Sequence, residues 1–369
     1  MNFSSENFTR GNATAIYIRA DILLLENILY RTLLPITCVG GIIGIIMTVI
    51  VLSRKNMCTS TNCYLKALAI TDLIFLTLFS TKLLDNHFAE KGPTDFEKFH
   101  IYLAYLEIFL HLFNMASIWL TVMLSIERYI AICYPLRAVS LSTVSGARKF
   151  IVTIYCVAFL CGLPKFWEIK VARIPQYPTP FIKLTELSYN TEYITAYRII
   201  YEILLSAVIP FLFLIIINSR LIQEIHRSTR YLRHHLAADS IVSHVISAEE
   251  LQLTLMLVGI TAVFFFCHAP YVVYNFITVL TEYVYSRSPT VGFTRAFRIF
   301  LHVSLLLLSL KSAINFILYC WFSEKFRVTF KRLFCMPNCL TRPQMRRLSN
   351  NSHNHNRRNS YHISRETTC

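Results

Sequence analysis

The sequence predicts an all-α membrane protein, a seven-transmembrane-helix bundle followed by a short amphipathic cytoplasmic helix. Three observations predict it. The 369-residue chain is 54% hydrophobic, with mean hydropathy +0.48, greasier than an ordinary soluble domain. Apolar runs recur near 30–52, 63–84, 102–126, 150–166, 199–222, 251–279 and 297–321. Each is about the ~20 residues that a helix needs to cross ~30 Å of hydrocarbon. Finally, the net charge of +15 is confined to segments between the runs and to the C-terminal tail, the bias of Lys and Arg toward cytoplasmic loops. That distribution argues against a nucleic-acid partner. The runs lack period-two alternation, so helices, not a closed barrel, satisfy the backbone in lipid.

The elements follow in order. Residues 1–28 are expected outside the cell, because the sequons beginning at Asn2, Asn7 and Asn12 crowd before the first run and read as glycosylation acceptors. These polar residues lack an apolar core and cleavage site, so no removable signal peptide is expected. The bundle occupies 29–321. Seven spans put the termini on opposite sides, and Arg54, Lys55, Arg137, Arg148, Lys149, Arg227, Arg230 and Arg233 follow the first, third and fifth runs. This gives a multi-pass plasma-membrane protein with an extracellular N-terminus and a cytoplasmic C-terminus. In 322–335, Phe326, Phe330 and Leu333 or Phe334 recur at helical spacing beside Lys325, Arg327, Lys331 and Arg332. That is a basic amphipathic helix lying on anionic lipid, with Cys335 and Cys339 as palmitoylation candidates. Residues 336–369 form a polar tail, in which Ser349 and Ser360 follow basic pairs. None of the 11 cysteines faces outside in this topology, so no disulfide is expected. No nucleophile–base or metal-ligand spacing emerges, and neither an enzyme nor a cofactor or metal is expected.

The third run ends in SIERYIAICYPL, carrying Glu127, Arg128 and Tyr129. NCYLKALAITDL supplies Asp72, Pro210 lies in the fifth run, CHAPY supplies Pro270, and NFILY runs from Asn315 to Tyr319. FSEKFRVTFKRLFC follows. This ordered set, over roughly 29–335, resembles the rhodopsin-like G-protein-coupled receptors. STNCYLKALAITDL and ERYIAICYPLRA are similar to FMRFamide-type and thyrotropin-releasing-hormone-type receptors. MASIWLTVMLSIERYIAICYPL and SAINFILYCWFSEKFR resemble vertebrate receptors responsive to aromatic amino acids, a branch that tends to lack the exterior disulfide and the proline of the last box. The chain departs from the family's usual residues at Ile45, Leu103, Tyr155, His268 and Phe316, and has no Cys in 168–195.

The resemblance implies a neuropeptide receptor coupled to a heterotrimeric G protein, of Gq type, with arrestin and receptor kinases as later partners. The alternative within the fold is a sensor of a small aromatic amino acid or amine. The alternative from another class is a transporter using Asp72 and Lys311 as a charge relay, against which no inverted repeat is visible.

Lys311 lies in the middle of the last run. A lone ammonium there costs at least ~2.5–3.5 kcal/mol on insertion scales. Asp72 lies about ten residues inside the second run and Lys311 about ten before the end of the seventh, so each is ~15 Å deep. The family packs these helices together, and its Asp commonly binds sodium with a helix-three Ser, matched here by Ser117. The resemblance therefore implies that Lys311 is a tethered cation in place of sodium. The other reading is a lysine facing a wet cavity away from Asp72. An opsin-like Schiff base is set aside. The opsin lysine precedes the box asparagine by six residues and Lys311 precedes Asn315 by four, ~200° away around a helix.

The family position makes Glu127 the resting partner of Arg128, with Glu250 a second. Both pairs are expected to be partly wet, worth ~1 kcal/mol each. Pro270 bends the sixth helix, one of Phe264, Phe265 and Phe266 is a packing rotor, and His268 is a hydrogen-bonded core residue. Arg128 and Tyr319 are expected to face the opened cavity on activation. The ligand pocket implied by family position takes Lys82, Glu107, His111, Asn114, Arg198, Glu202, Tyr271, Tyr274, Asn275 and His302. Glu107 and Glu202 suit a peptide's Arg or amine, and Lys82 or Arg198 suits a carboxylate. Leu110 stands where amine receptors have Asp, which argues against an aminergic ligand.

Overall fold

A computed structural model describes residues 25, 27–84, 93–172, 181–235, 248–284 and 295–334. Seven helices among them are long and apolar enough to cross a membrane: Leu29–Leu52, Ser60–Leu84, Asp95–Cys133, Val144–Glu168, Thr191–Arg227, Leu251–Thr278 and Ile299–Phe322. The third and fifth extend well past the apolar runs at 102–126 and 199–222. A helix keeps its i→i−4 hydrogen bonds through polar turns, so an apolar run marks the hydrocarbon-depth portion and not the helix ends.

The bundle consists of α1 (Leu34–Leu52), α2 (Ser60–Thr81), α3 (Pro93–Cys133), α4 (Val144–Gly162), α5 (Ile209–His235), α6 (Ala248–Val284) and α7 (Arg295–Phe322), followed by α8 (Glu324–Phe334). π-helical winding leads into α1 over Leu29–Leu33 and into α5 over Ile194–Val208. Threonine caps set two starts: the Thr59 side chain accepts from the Asn62 N–H, and that of Thr143 from the Gly146 N–H. Each satisfies an orphan first-turn donor.

The chain is not wholly helical. β1 (Ile169–Ala172) pairs antiparallel with β2 (Phe181–Leu184), Ile169 opposite Leu184. This hairpin lies in the connection after α4 and leaves the helical bundle as expected. β-branched Val171 and Ile182 face each other across it, a favourable cross-strand pair, too short a signal to read from sequence.

Two apolar layers fill the bundle. Leu68, Leu120, Leu124, Met256, Tyr319 and Phe326 pack near the end that carries Arg128. Leu34, Leu76, Phe79, Leu106, Leu110 and Leu308 pack toward the end that carries Lys82. α1 sits close to its neighbours through glycine: a Cβ on Gly41 would lie 2.7 Å from Leu76 Cδ2, and one on Gly44 would lie 3.2 Å from Phe316 Cβ. Large apolar side chains such as Val152, Leu160, Leu212 and Ile216 stay exposed, as lipid contact allows. α8 buries Phe326, Val328 and Thr329, and Phe316 makes edge contacts with Phe326 and Phe330 at 6.3 and 5.6 Å.

One expectation about sulfur is corrected. Cys58, in the turn between α1 and α2, is disulfide-bonded, and its partner lies outside the described residues. The sequence reasoning weighed only a bridge at the exterior end, and this one is at the Arg128 end. Asn2, Asn7, Asn12, Cys335 and Cys339 also lie outside the described residues.

Candidate functional site

Asp72 stands 12 residues into α2, and Lys311 stands 11 before the end of α7. Those nearly equal depths bring them together. The Lys311 ammonium lies 3.2 Å from Asp72 Oδ1 and donates to Ser117 Oγ at 2.9 Å. Ser117 donates to Asp72 Oδ1 at 3.0 Å, and Asn315 Nδ2 donates to Asp72 Oδ2 at 3.3 Å. Three helices thus meet on one carboxylate. Asp72 and Ser117 are each 1% exposed and Lys311 4%, so the wet-cavity reading of Lys311 does not hold. α6 joins through a π face, with Lys311 Nζ 5.6 Å from the Phe264 ring centroid, within cation–π range. Hydroxyl and carboxamide donors satisfy lone pairs that one ammonium leaves open, the condition for a tolerable buried ion pair.

Phe264 is the buried member of its trio, and Phe266 is exposed. Its other neighbour is His268, stacked at 5.1 Å with planes 11° apart. His268 is buried, and its Nδ1 has no hydrogen-bond partner. Aromatic neighbours surround the imidazole: Phe211 at 6.0 Å and Tyr271 at 6.1 Å. α6 continues on both sides of Pro270.

At the end of α3, Arg128 grips Glu127 in a bidentate pair: Nε donates to Oε2 at 2.8 Å and Nη2 to Oε1 at 3.2 Å. Sequence reasoning missed two further donors. Thr61, in the first turn of α2, reaches both carboxylate oxygens at 3.0–3.1 Å, and Ser142, after the short helix Pro135–Leu141, donates to Oε1. Hydroxyls recur in every span, so no signal singled these out. The pair is buried, with side chains 7% and 10% exposed. This corrects the partly wet expectation: α2 and the loop after α3 close over it. Tyr129 is half-buried, 5.9 Å edge-on from Tyr134. Tyr319 is buried against Phe326 at 5.5 Å. The side chain of Glu250 lies outside the described residues.

At the opposite end, Lys82 and Glu107, expected to meet opposite ligand groups, form an ion pair with each other. The Tyr30 hydroxyl donates to the Lys82 carbonyl at 2.8 Å, and its ring lies 5.2 Å from His302. His111 meets Tyr201 edge-on at 5.6 Å. Tyr201 continues an aromatic ladder through Tyr197 and Tyr193, spaced 5.0 and 5.1 Å. Sequence reasoning missed this ladder, and tyrosines four apart were the signal that could have found it. Tyr274 stacks on Phe297 at 4.6 Å. Asn114 is buried and Asn275 half-buried. The side chains of Arg198 and Glu202 lie outside the described residues.

A seven-span bundle with a buried charge network at its centre and a caged arginine at one end defines a membrane receptor of the heptahelical class. Residues 44–319 match the family described as 7 transmembrane receptor (rhodopsin family). The chain belongs to that family. It is accordingly a multi-pass plasma-membrane receptor and not an enzyme. It is 27% identical over 332 residues to sex peptide receptor-related protein 2 of Caenorhabditis elegans, covering 84% of this chain and 72% of that one. It is 29% identical over 313 residues to the FMRFamide receptor of Drosophila melanogaster, covering 82% of this chain and 53% of that one, about half its length. It is 26% identical over 360 residues to the human thyrotropin-releasing hormone receptor, covering 92% and 85%.

Proposed function

We propose that the protein binds an extracellular neuropeptide and transmits that binding to a heterotrimeric G protein of Gq type. The observation that carries this reading is the caged Arg128 beneath a rhodopsin-family bundle. It is a closed arrangement in which Nε and Nη2 of the arginine are engaged by Glu127. Relatives named for FMRFamide, thyrotropin-releasing hormone and sex peptide support a peptide ligand.

In this reading residues 1–28 lie outside, glycosylated at Asn2, Asn7 and Asn12, and the Arg128 end faces the cytoplasm. The peptide enters among Lys82, Glu107, His111, Asn114, Arg198, Glu202, Tyr271, Tyr274, Asn275 and His302. A charged peptide group competes for one member of the Lys82–Glu107 pair and so tips the balance between resting and active bundles. Lys311 serves as the resident cation of Asp72, and Asn315 and Phe264 couple that centre to α7 and α6. Opening at Pro270 then releases Arg128 and Tyr319 to the G protein, against a second latch at Glu250. α8 lies on the inner leaflet with Cys335 and Cys339 palmitoylated, and receptor kinases acting on Ser349 and Ser360 recruit arrestin.

The test is a calcium assay in transfected cells, screening amidated peptides against free tryptophan and phenylalanine. A peptide response that disappears in cells lacking Gq-type α subunits is expected. A response to the free amino acids alone overturns the peptide ligand. A peptide response that survives loss of Gq-type subunits overturns the coupling.

A further inference from the structure

The connection from α4 to the fifth span holds its shape without a covalent link. No cysteine occurs between Cys161 and Cys267, so no disulfide pins it to α3. Its β1–β2 hairpin is weak by itself. Each strand has four residues, and an isolated two-stranded hairpin is marginal at best. Lys170 and Lys183 also stand directly opposite each other in the register, both exposed. Like charges in that relation destabilise a pair of strands. Contacts outside the strand pairing must therefore hold the hairpin where it is.

Glu168, the residue before β1, is placed to do so. It is buried, and donors from three segments converge on it. Its carbonyl accepts from the Thr185 N–H at 2.9 Å and from the Ser188 hydroxyl at 2.8 Å. Its carboxylate accepts from the Tyr193 hydroxyl at 2.7 Å. Thr185 follows β2, Ser188 lies in the short 3-10 helix Glu186–Tyr189, and Tyr193 stands at the start of the fifth span. One residue thus closes the base of the hairpin and ties it to that span. Its neighbours widen the tie. The Trp167 carbonyl accepts from the Thr185 hydroxyl at 2.6 Å, and Phe166 meets Phe109 of α3 edge-on at 5.8 Å. Tyr193 is also the first rung of the ladder that ends at His111, and Tyr197 in that ladder donates to the Cys161 carbonyl at 2.7 Å. Because clamp and ladder share Tyr193, the hairpin is tied to α3, α4 and the fifth span together. A buried carboxylate is tolerated only when it is hydrogen-bonded, so the bonds that satisfy it are the same ones that set the geometry.

We propose that Glu168 is a positioning residue, a non-covalent clamp that fixes the β1–β2 hairpin against α3 and the start of the fifth span. The Phe109 contact sets the hairpin beside Glu107 and His111 on the same stretch of α3. The inference needs no ligand and does not depend on which side of the membrane this end faces.

The test is hydrogen–deuterium exchange of the full-length, ligand-free chain in phosphatidylcholine nanodiscs, read by mass spectrometry on peptides covering 169–172 and 181–185. Tyr193→Phe keeps the ladder's ring and removes only the hydroxyl. It is expected to speed exchange in those peptides about tenfold, the least that a hydrogen bond to a charged group is worth, and to leave peptides from α2 and α7 unchanged, as a local opening does. Glu168→Ala is expected to do at least as much, and adding Tyr193→Phe to it to bring no further change, because the two side chains act through one bond. Glu186→Gln alters an exposed carboxylate of the same connection and is expected to match the wild type. Wild-type exchange in Tyr193→Phe, acceleration spread through the whole bundle, additive effects in the double variant, or equal acceleration in Glu186→Gln overturns the proposal. Tyr193→Phe alone carries the decision if Glu168→Ala does not accumulate.

Discussion

A lysine ammonium 4% exposed in mid-bundle is tolerated because four groups share it and its partner: Asp72, Ser117, Asn315 and the face of Phe264. Removing one charge leaves the other buried and unpaired. Asp72→Asn or Lys311→Met alone is therefore expected to cost ~3–5 kcal/mol, and the double variant to recover most of it, read by thermal unfolding of purified receptor. A double variant as unstable as either single one would show that the pair does not couple. If Lys311 occupies a sodium seat, wild-type ligand binding is insensitive to sodium, and Lys311→Ala gains a sodium dependence that Asp72→Asn abolishes. The second residue-scale device is the Glu127 cage. Hydrogen bonds to a charged group contribute ~1.5–3 kcal/mol each, so Glu127→Gln is expected to raise basal nucleotide exchange several-fold. Thr61→Ala shifts it the same way by less. Unchanged basal exchange in Glu127→Gln removes the cage from the switch. Of these residues Asp72, Lys311, Ser117, Glu127 and Arg128 were legible, through depth and motif order. Thr61 and Ser142 were not, because a hydroxyl becomes a specific partner only when another element delivers a carboxylate to it.

At the scale of elements, α1 is positioned by what it lacks. A Cβ on Gly41 meets Leu76 at 2.7 Å and Ala313 at 3.4 Å, and Gly40, one residue away, has nothing within 4 Å. Gly41→Leu is expected to force α1 off α2 and α7, costing ~1–3 kcal/mol as overpacking does and lowering surface expression. Gly40→Leu is expected to be tolerated on the open face. Equal loss in both would show that helix propensity, not interhelical approach, governs this position. Phe316, where the family has proline, fills the space over Gly44 and carries α8 through Phe326 and Phe330. The sequence marked Phe316 as a departure, but its use as the seat of α8 depends on three elements meeting. Helix ends were similarly beyond reach: hydropathy reports the portion inside hydrocarbon, and Asp95 and Thr191 stand at span starts outside it.

For the whole molecule, seven spans require the termini to lie on opposite sides, and the proposed orientation rests on the sequons and basic loops. An N-terminal tag is therefore expected to be detected on intact cells, and a C-terminal tag only after permeabilisation. Asn2→Gln/Asn7→Gln/Asn12→Gln is expected to abolish the mobility shift produced by glycosidase. Both tags on one side of the membrane would refute this topology. What the sequence determined by itself was the class of the molecule: apolar length, charge asymmetry and motif order are properties of a single chain read from end to end. It also determined that Asp72 and Lys311 share a depth, because helical rise converts residue count to distance. The tertiary structure alone decided the cage around Glu127, the pairing of Lys82 with Glu107 and the seat of α8. Each is made by side chains from separate helices, and rotation and crossing are set by packing that no local pattern encodes.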